Sequence, residues 1–214
     1  MTHPPAEPTH ADPSTGTSTP TTSSSLQYTI RNGTPDDAAA ISELMIEVFG
    51  RSFGHSCTPE ELVKYNDEVL SPSAIRGDIT NPKCTWVLAV SMSISSGSSP
   101  KSTTDAREKE EELLGIVQLT KDSYETCLTL PEPIELQRIY LSYKAHGTGL
   151  AKALIQQAEA QARGMGYKSI WLGAWEENAR AKAFYKKMGY RIVGGHVFDI
   201  GGSKQRDDVM EKML

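Results

Sequence analysis

The stretch Arg138–Ala151, RIYLSYKAHGTGLA, constrains the fold more than any other part of the chain. It reads as a strand end, a short loop with two glycines, and the first turn of a helix. The strand is Ile134–Leu141, IELQRIYL, with alternating and β-branched character. The helix is expected from about Gly149 to Arg163. Leu150, Leu154, Ala158, Ala162 and Met165 recur at spacings of four, four, four and three, which marks one buried face. Between strand and helix, His146-Gly147-Thr148-Gly149 has no Cβ at two positions, so backbone can come close to a ligand. The unpaired N–H groups of the first helical turn point outward there. That arrangement suits an anion such as a pyrophosphate.

Two glycines before a helix also fit a plain tight turn equally well. Two nucleotide motifs do not apply. No Gly-Lys-Ser/Thr follows the loop, so it is not a P-loop. The dinucleotide fingerprint needs a third glycine and an early βα unit, whereas Lys152 follows Ala151 and this unit comes late. The pattern that fits is Gln/Arg-x-x-Gly-x-Gly/Ala, met from His146 to Ala151 with His in first place. A second register, Lys144 to Gly149, satisfies the same spacing with Lys first. The His146 register keeps the ungapped distance from the strand and is preferred.

The chain has 214 residues, which suits one domain with appendages. Met1–Ser25 is almost wholly Thr, Ser, Pro, Ala and His, too poor in apolar surface to offset its chain entropy, and is expected to be disordered. It lacks the apolar core of a signal peptide and the arginines of a transit peptide. No stretch approaches a membrane span. With three cysteines (Cys57, Cys84, Cys127) in no CxxC or Cys/His cluster, the expectation is a reduced, cytoplasmic protein without a metal, the nucleus remaining open. A net charge of −5 without a basic run argues against nucleic acid and favours cationic substrates.

In order, Leu26–Arg31 reads as the first strand, and Thr34-Pro35-Asp36-Asp37 opens a helix striped by Ala38, Ile41, Leu44, Met45 and Val48. Phe49–Cys57 reads as a loop. Thr58-Pro59 opens a second helix to about Leu70. Cys84–Val90 and Leu113–Thr120 read as partner strands, with Ser91–Glu112 a low-complexity, mobile hairpin insertion. Lys168–Ala174 is a strand parallel to Ile134–Leu141 by the right-handed crossover rule. Asn178 caps a helix Ala179–Met188 with apolar positions Ala181, Phe184, Tyr185 and Met188. Tyr190–Val193, Val197–Ile200 and Arg206–Met213 close the chain as strands.

Asn178, Ala181, Phe184, Tyr185, Gly189 and Tyr190 match Asn-x-x-Ala-x-x-Phe-Tyr-x-x-x-Gly-Tyr/Phe. Together with His146–Ala151, this resembles the GNAT N-acetyltransferases over about Leu26–Leu214, the insertion excepted. LGAWEENARAKAFYKKMGYRIVGGHVF and QRDDVMEK further resemble PaiA-type polyamine acetyltransferases. The resemblance implies an α/β GNAT fold, a mixed twisted sheet flanked by helices with a splayed central parallel pair. It implies acetyl-CoA as donor, with His146, Gly147, Thr148, Gly149, Leu150 and Ala151 at the pyrophosphate. Ile139, Tyr140 and Leu141 would bind pantetheine by backbone, and Asn178 would hydrogen-bond that arm. Tyr185 would protonate the CoA thiolate, and Glu135 would serve as base or orient the substrate. The implied acceptor is a small amine or polyamine; a protein or peptide amine and a silent acyl-CoA-binding module are the alternatives. A homodimer is compatible with it.

Overall fold

A computed structural model describes residues 26–53, 58–93, 110–200 and 203–214. The expected disordered tail and the middle of the hairpin insertion lie outside the described residues. Seven strands form one sheet in the order β1-β2-β3-β4-β5-β7-β6. They are β1 Thr29–Asn32, β2 Cys84–Ser93, β3 Glu110–Thr120, β4 Pro133–Leu141, β5 Ser169–Trp175, β6 Arg191–Ile200 and β7 Ser203–Met213. All neighbours run antiparallel except β4 and β5. The helices are α1 Ala38–Phe53, α2 Pro59–Tyr65, α3 Pro72–Thr80, α4 Leu150–Gly164 and α5 Ala179–Lys187. The α/β fold class expected from the sequence is the one observed.

Several boundaries differ from expectation. α1 runs five residues into the supposed Phe49–Cys57 loop, because Phe49 is fully buried and stacks on Tyr65 at 4.4 Å between centroids. The second helix keeps its α form only to Tyr65 and continues as a π-helical turn over Asn66–Leu70. α3 was not foreseen. Ser71 caps it, accepting from the Ala74 N–H, and Pro72 occupies its first position. β2 and β3 both extend into the expected insertion as a hairpin, paired to Ser93 and Glu110. The two short strands after Tyr190 are a single β6. Met165 lies outside α4's buried face, being 37% exposed past the helix end.

The layers follow from side-chain alternation. α4 packs where Gly115 leaves room: a Cβ there would meet Leu154 Cδ1 at 3.0 Å. α5 shares that side, since Tyr185 contacts Tyr190, whose hydroxyl reaches Glu159 of α4. α1 and α3 cover the other face, where Arg138 of β4 donates to Asp78 of α3 at 2.9 Å. One irregularity in β4 decides what the site contains. Thr120 stands opposite Glu135 and Gln118 opposite Arg138, so the register slips by one residue between them. This bulge puts Glu135 and Arg138 on the same face, although they are three apart.

Leu154 is fully buried between α4 and the sheet. Leu154→Ala is expected to lower unfolding stability by about 2–5 kcal/mol, read as a lower denaturation midpoint at unchanged slope.

Candidate active site

β4 and β5 pair only at Pro133–Ser169, Ile134–Ile170 and Glu135–Trp171. Beyond that, β4 stays with β3 as far as Leu141 and β5 stays with β7 as far as Trp175. The strands therefore diverge, and β4 from Leu136 to Leu141 has no ladder partner on its β5 side. Main-chain N–H and C=O groups do not tolerate being left unpaired in a protein interior. A ligand with amide groups in an extended chain can satisfy them as an added strand. Ile139, Tyr140 and Leu141 lie along this edge, with their side chains buried and only backbone to offer.

The mouth of the divergence is the glycine loop. Tyr143–Ala145 forms a single 3₁₀ turn, and Gly149 stands before the first residue of α4. Gly147 and Gly149 have φ of +75° and +87°, the left-handed region that other residues enter only with strain. Nothing lies within 4 Å of a Cβ built on either, so their outer side is open. A cavity of about 230 Å³ lies here, lined by Leu141, Ala145, His146, Gly147, Gly149, Ala151, Lys152, Arg180 and Phe184. Thr148 is turned inward, its hydroxyl donating to the Ala145 carbonyl at 2.7 Å. Leu150 is fully buried and anchors the helix start.

Lys152 and Arg180 went unnoticed in the sequence, yet they supply the cavity's cations beside the N-terminus of α4. Arg180 lies close enough to His146 to depress its pKa. Burial is the larger cause of that lowering, and a hydrogen bond to the Leu141 backbone opposes it. His146 is thus a neutral imidazole lining the cavity at ordinary pH. Lys144, first residue of the alternative register, pairs instead with Glu112. A loop of left-handed glycines, a helix N-terminus and two cations fit a pyrophosphate.

On α5, Tyr185 is 2% exposed. Burial first, and then the negative charge of Asp207, push its pKa well up, so it is a protonated phenol. Asn178, also buried, gives its carboxamide oxygen to the Ala181 N–H at 2.8 Å, which leaves only its amide N–H groups for a ligand. Glu135 is 7% exposed on the opposite face. Burial raises its pKa to about 7; a hydrogen bond from Ser123 and the charge of Arg138 lower it, and Glu125 raises it.

A family model for the acetyltransferase (GNAT) family matches residues 81–190. The chain belongs to that family. An uncharacterized N-acetyltransferase of Lactobacillus delbrueckii subsp. lactis is 27% identical over 168 residues, 78% of this chain and 87% of that protein. Among solved structures, the PaiA N-acetyltransferase of Thermoplasma acidophilum in complex with coenzyme A superposes with a TM-score of 0.60. It is 20% identical, with 88% of this chain and 100% of that one covered. Arabidopsis thaliana NAA60 in complex with acetyl-CoA gives 0.61 at 16% identity, covering 88% and 99%. At these identities the structural likenesses show the GNAT fold.

Two substitutions test the cavity. Gly149→Glu places a negative side chain in it and is expected to abolish acetyl-CoA binding in calorimetry. Arg180→Ala removes one charged donor and is expected to weaken that binding by about tenfold or more.

Proposed function

We propose that this protein transfers the acetyl group of acetyl-CoA directly to the primary amine of a small amine or polyamine. The observation that carries this reading is the β4–β5 divergence, with the glycine loop at its mouth, Tyr185 on one face and Glu135 on the other. The donor enters from the α4–α5 side, its phosphates on Gly147–Ala151, Lys152 and Arg180 and its extended arm along Ile139–Leu141. Asn178 offers an N–H to that arm. A backbone N–H on the freed β4 edge polarises the thioester carbonyl.

The residues divide the proton transfers. Glu135 accepts a proton from the attacking nitrogen, directly or through water; a carboxyl titrating near 7 is half ionised at neutral pH and well matched to that task. Tyr185 donates its phenolic proton to the departing sulfur. The phenol's raised pKa does not disable it, because the same burial raises the thiol's. Cys84 and Cys127 are both pushed up by burial, which keeps them as thiols and gives no support to an acetyl-cysteine route.

The acceptor reading rests on charge. Glu135, Glu125 and Asp207 gather on the acceptor face, and the chain is acidic overall. The resemblance of the chain's C-terminal part to PaiA-type polyamine acetyltransferases agrees with a polyamine, and a peptide amine is the second candidate. A panel of small amines, polyamines and peptides, assayed by release of free thiol from acetyl-CoA, separates them; no release with any amine would leave a silent acyl-CoA-binding protein. No helix among the described residues is long and apolar enough to cross a membrane, and we place the reaction in the cytoplasm.

Tyr185→Phe keeps the ring and removes the acid. It is expected to lower kcat by ~10²–10⁴ with little change in acetyl-CoA affinity. Glu135→Gln is expected to remove the rise of turnover that accompanies ionisation of Glu135 as pH climbs through about 7.

A further inference from the structure

Four carboxylates are buried among the described residues: Glu135, Glu159, Asp207 and Glu211. Two have cations. Glu159 pairs with Lys212 at 2.7 Å and Glu211 with Arg191 at 2.7 Å. The other two have no ion pair to Lys or Arg. Glu135 is one. Asp207 is the other: it is 1% exposed, and its Oδ1 is fully enclosed with no hydrogen-bond partner. A buried, unpartnered carboxylate oxygen is destabilising, and its retention calls for a ligand.

Its position says which ligand. Asp207 stands opposite Trp175 on β5 and opposite His196 on β6. Trp175, Gly173 and Trp171 alternate onto one face of β5, and Trp171 is beside Glu135, so Asp207 and Glu135 face the same side across the divergence. Gly173 makes room for it, since a Cβ there would sit 2.7 Å from Asp207 Oδ2. Tyr185 feels the charge of Asp207 from the α5 side, which puts the carboxylate within electrostatic reach of the phenol proposed to protonate the sulfur. Behind Asp207, His196 Nε2 is 3.7 Å from Oδ2, and His196 Nδ1 is 3.3 Å from Glu125 Oε1. Side-chain exposure rises along this row from 1% to 14% to 23%, so it leads from the divergence to solvent. The neighbouring Asp208 and Glu176 are already matched by Lys182 and Arg206. Among the described residues no group of three or more His, Cys, Asp or Glu is arranged to hold a metal ion, which leaves an organic cation.

The reaction proposed above needs such a group. An alkylammonium must lose two protons to become an amide nitrogen, and Glu135 accounts for one. We propose that Asp207 binds the ammonium group of the acceptor and takes the proton it sheds before attack, with His196 and Glu125 positioned to pass that proton to solvent. The inference rests on the N-acetyltransferase reading of the same cleft. The balance closes. The ammonium gives one proton to Asp207 Oδ1. The free amine bonds to the acetyl carbon and the C–S bond breaks. The nitrogen's second proton passes through water to Glu135, the sulfur takes one from Tyr185, and water carries the proton on Glu135 back to Tyr185. The proton on Asp207 leaves as the single net proton of the reaction. Burial, with repulsion from Asp208 and Glu176, raises the pKa of Asp207 to about 8, closer to that of an amine than an ordinary carboxyl is. Burial, Asp208 and Glu176 set its titration; the other titratable groups near it are His196 on β6 at 3.7 Å, Glu125 of the β3–β4 loop behind His196, and Tyr185 on α5.

The test is Asp207→Asn in the full chain, with n-butylamine and 1,4-diaminobutane as acceptors and acetyl-CoA saturating. Unchanged acetyl-CoA affinity shows that the variant is folded. At pH 7.5, kcat/KM is expected to fall by ~10²-fold or more. The deficit should shrink towards pH 10, where bulk water supplies the free amine itself (alkylamine pKa about 10). A purely structural role would give a loss independent of pH. His196→Gln, which leaves Asp207 in place, is expected to lower kcat about tenfold with KM little changed. If both variants keep wild-type kcat/KM, or if the Asp207→Asn loss is the same at every pH, the inference is overturned. Should the wild type release no thiol with any amine, the proposed function fails first. Calorimetry of 1,4-diaminobutane against the CoA-saturated protein then decides the inference alone: equal affinity in wild type and Asp207→Asn, or binding by neither, overturns it.

Discussion

The three rungs that join β4 to β5 hold the site together. Were there none, the sheet would be two unconnected halves. Were there six, β4 would have no free edge and the cleft would be closed. Pairing that begins at Pro133–Ser169 and stops at Glu135–Trp171 fixes the two strands at one end only. Each strand is then carried away by its other neighbour, β4 by β3 through Leu141 and β5 by β7 through Trp175. The cleft is therefore a consequence of antiparallel pairing on both flanks, and its angle is protected by ladders that do not border it. The helices make use of the same asymmetry, with α4 and α5 on one side and α1 and α3 on the other, so the cleft opens between two different helix layers.

Much of this was legible in the residues. The Gly147 and Gly149 spacing located the loop because left-handed backbone is a requirement that few other residues meet. Asn178 and the Phe184-Tyr185 pair located α5 because capping and apolar periodicity are local. What was missed was of two kinds. α3 carries Ser71-Pro72, the same cap signal as Thr34-Pro35 and Thr58-Pro59, and that signal was available but unused. The second helix ends at Leu70 as expected, and only its change to a π turn over Asn66–Leu70 carries no sequence signal. Lys152 and Arg180 are different. They are 28 residues apart and meet only because α4 and α5 both start at the cleft mouth. No local pattern distinguishes such a pair from ordinary surface cations.

The acceptor face was the least legible part, and the β4 bulge is one reason. A strict period of two would send Glu135 and Arg138 to opposite faces; the slipped register brings them together, so that the charge of one moderates the other. Asp207 is a second case. In sequence it is one of two aspartates in a polar strand near the end of the chain. Only the β5–β7–β6 registers show that Asp208 is neutralised by Lys182 and Arg206 while Asp207 is turned inward without a cation.

These two unpaired carboxylates set a limit on the empty enzyme. Their folded pKa values lie above their unfolded ones, about 7 against 4.5 for Glu135 and about 8 against 3.8 for Asp207. A group shifted this way gives its full stability below the unfolded pKa and loses it as pH rises through the folded one. The empty cleft therefore opposes folding increasingly from about pH 4 to pH 8. Glu211, held by Arg191 and by Thr129, is shifted the other way, and Glu159 is paired with Lys212, so the fold has the means to pair a buried acid and does not apply it at the cleft. On the proposal made above, a cationic amine bound at Asp207 supplies the charge missing there. On that proposal the cost of burying Asp207 in the free protein is relieved in the complex, and part of the acceptor's affinity originates in an instability maintained in its absence.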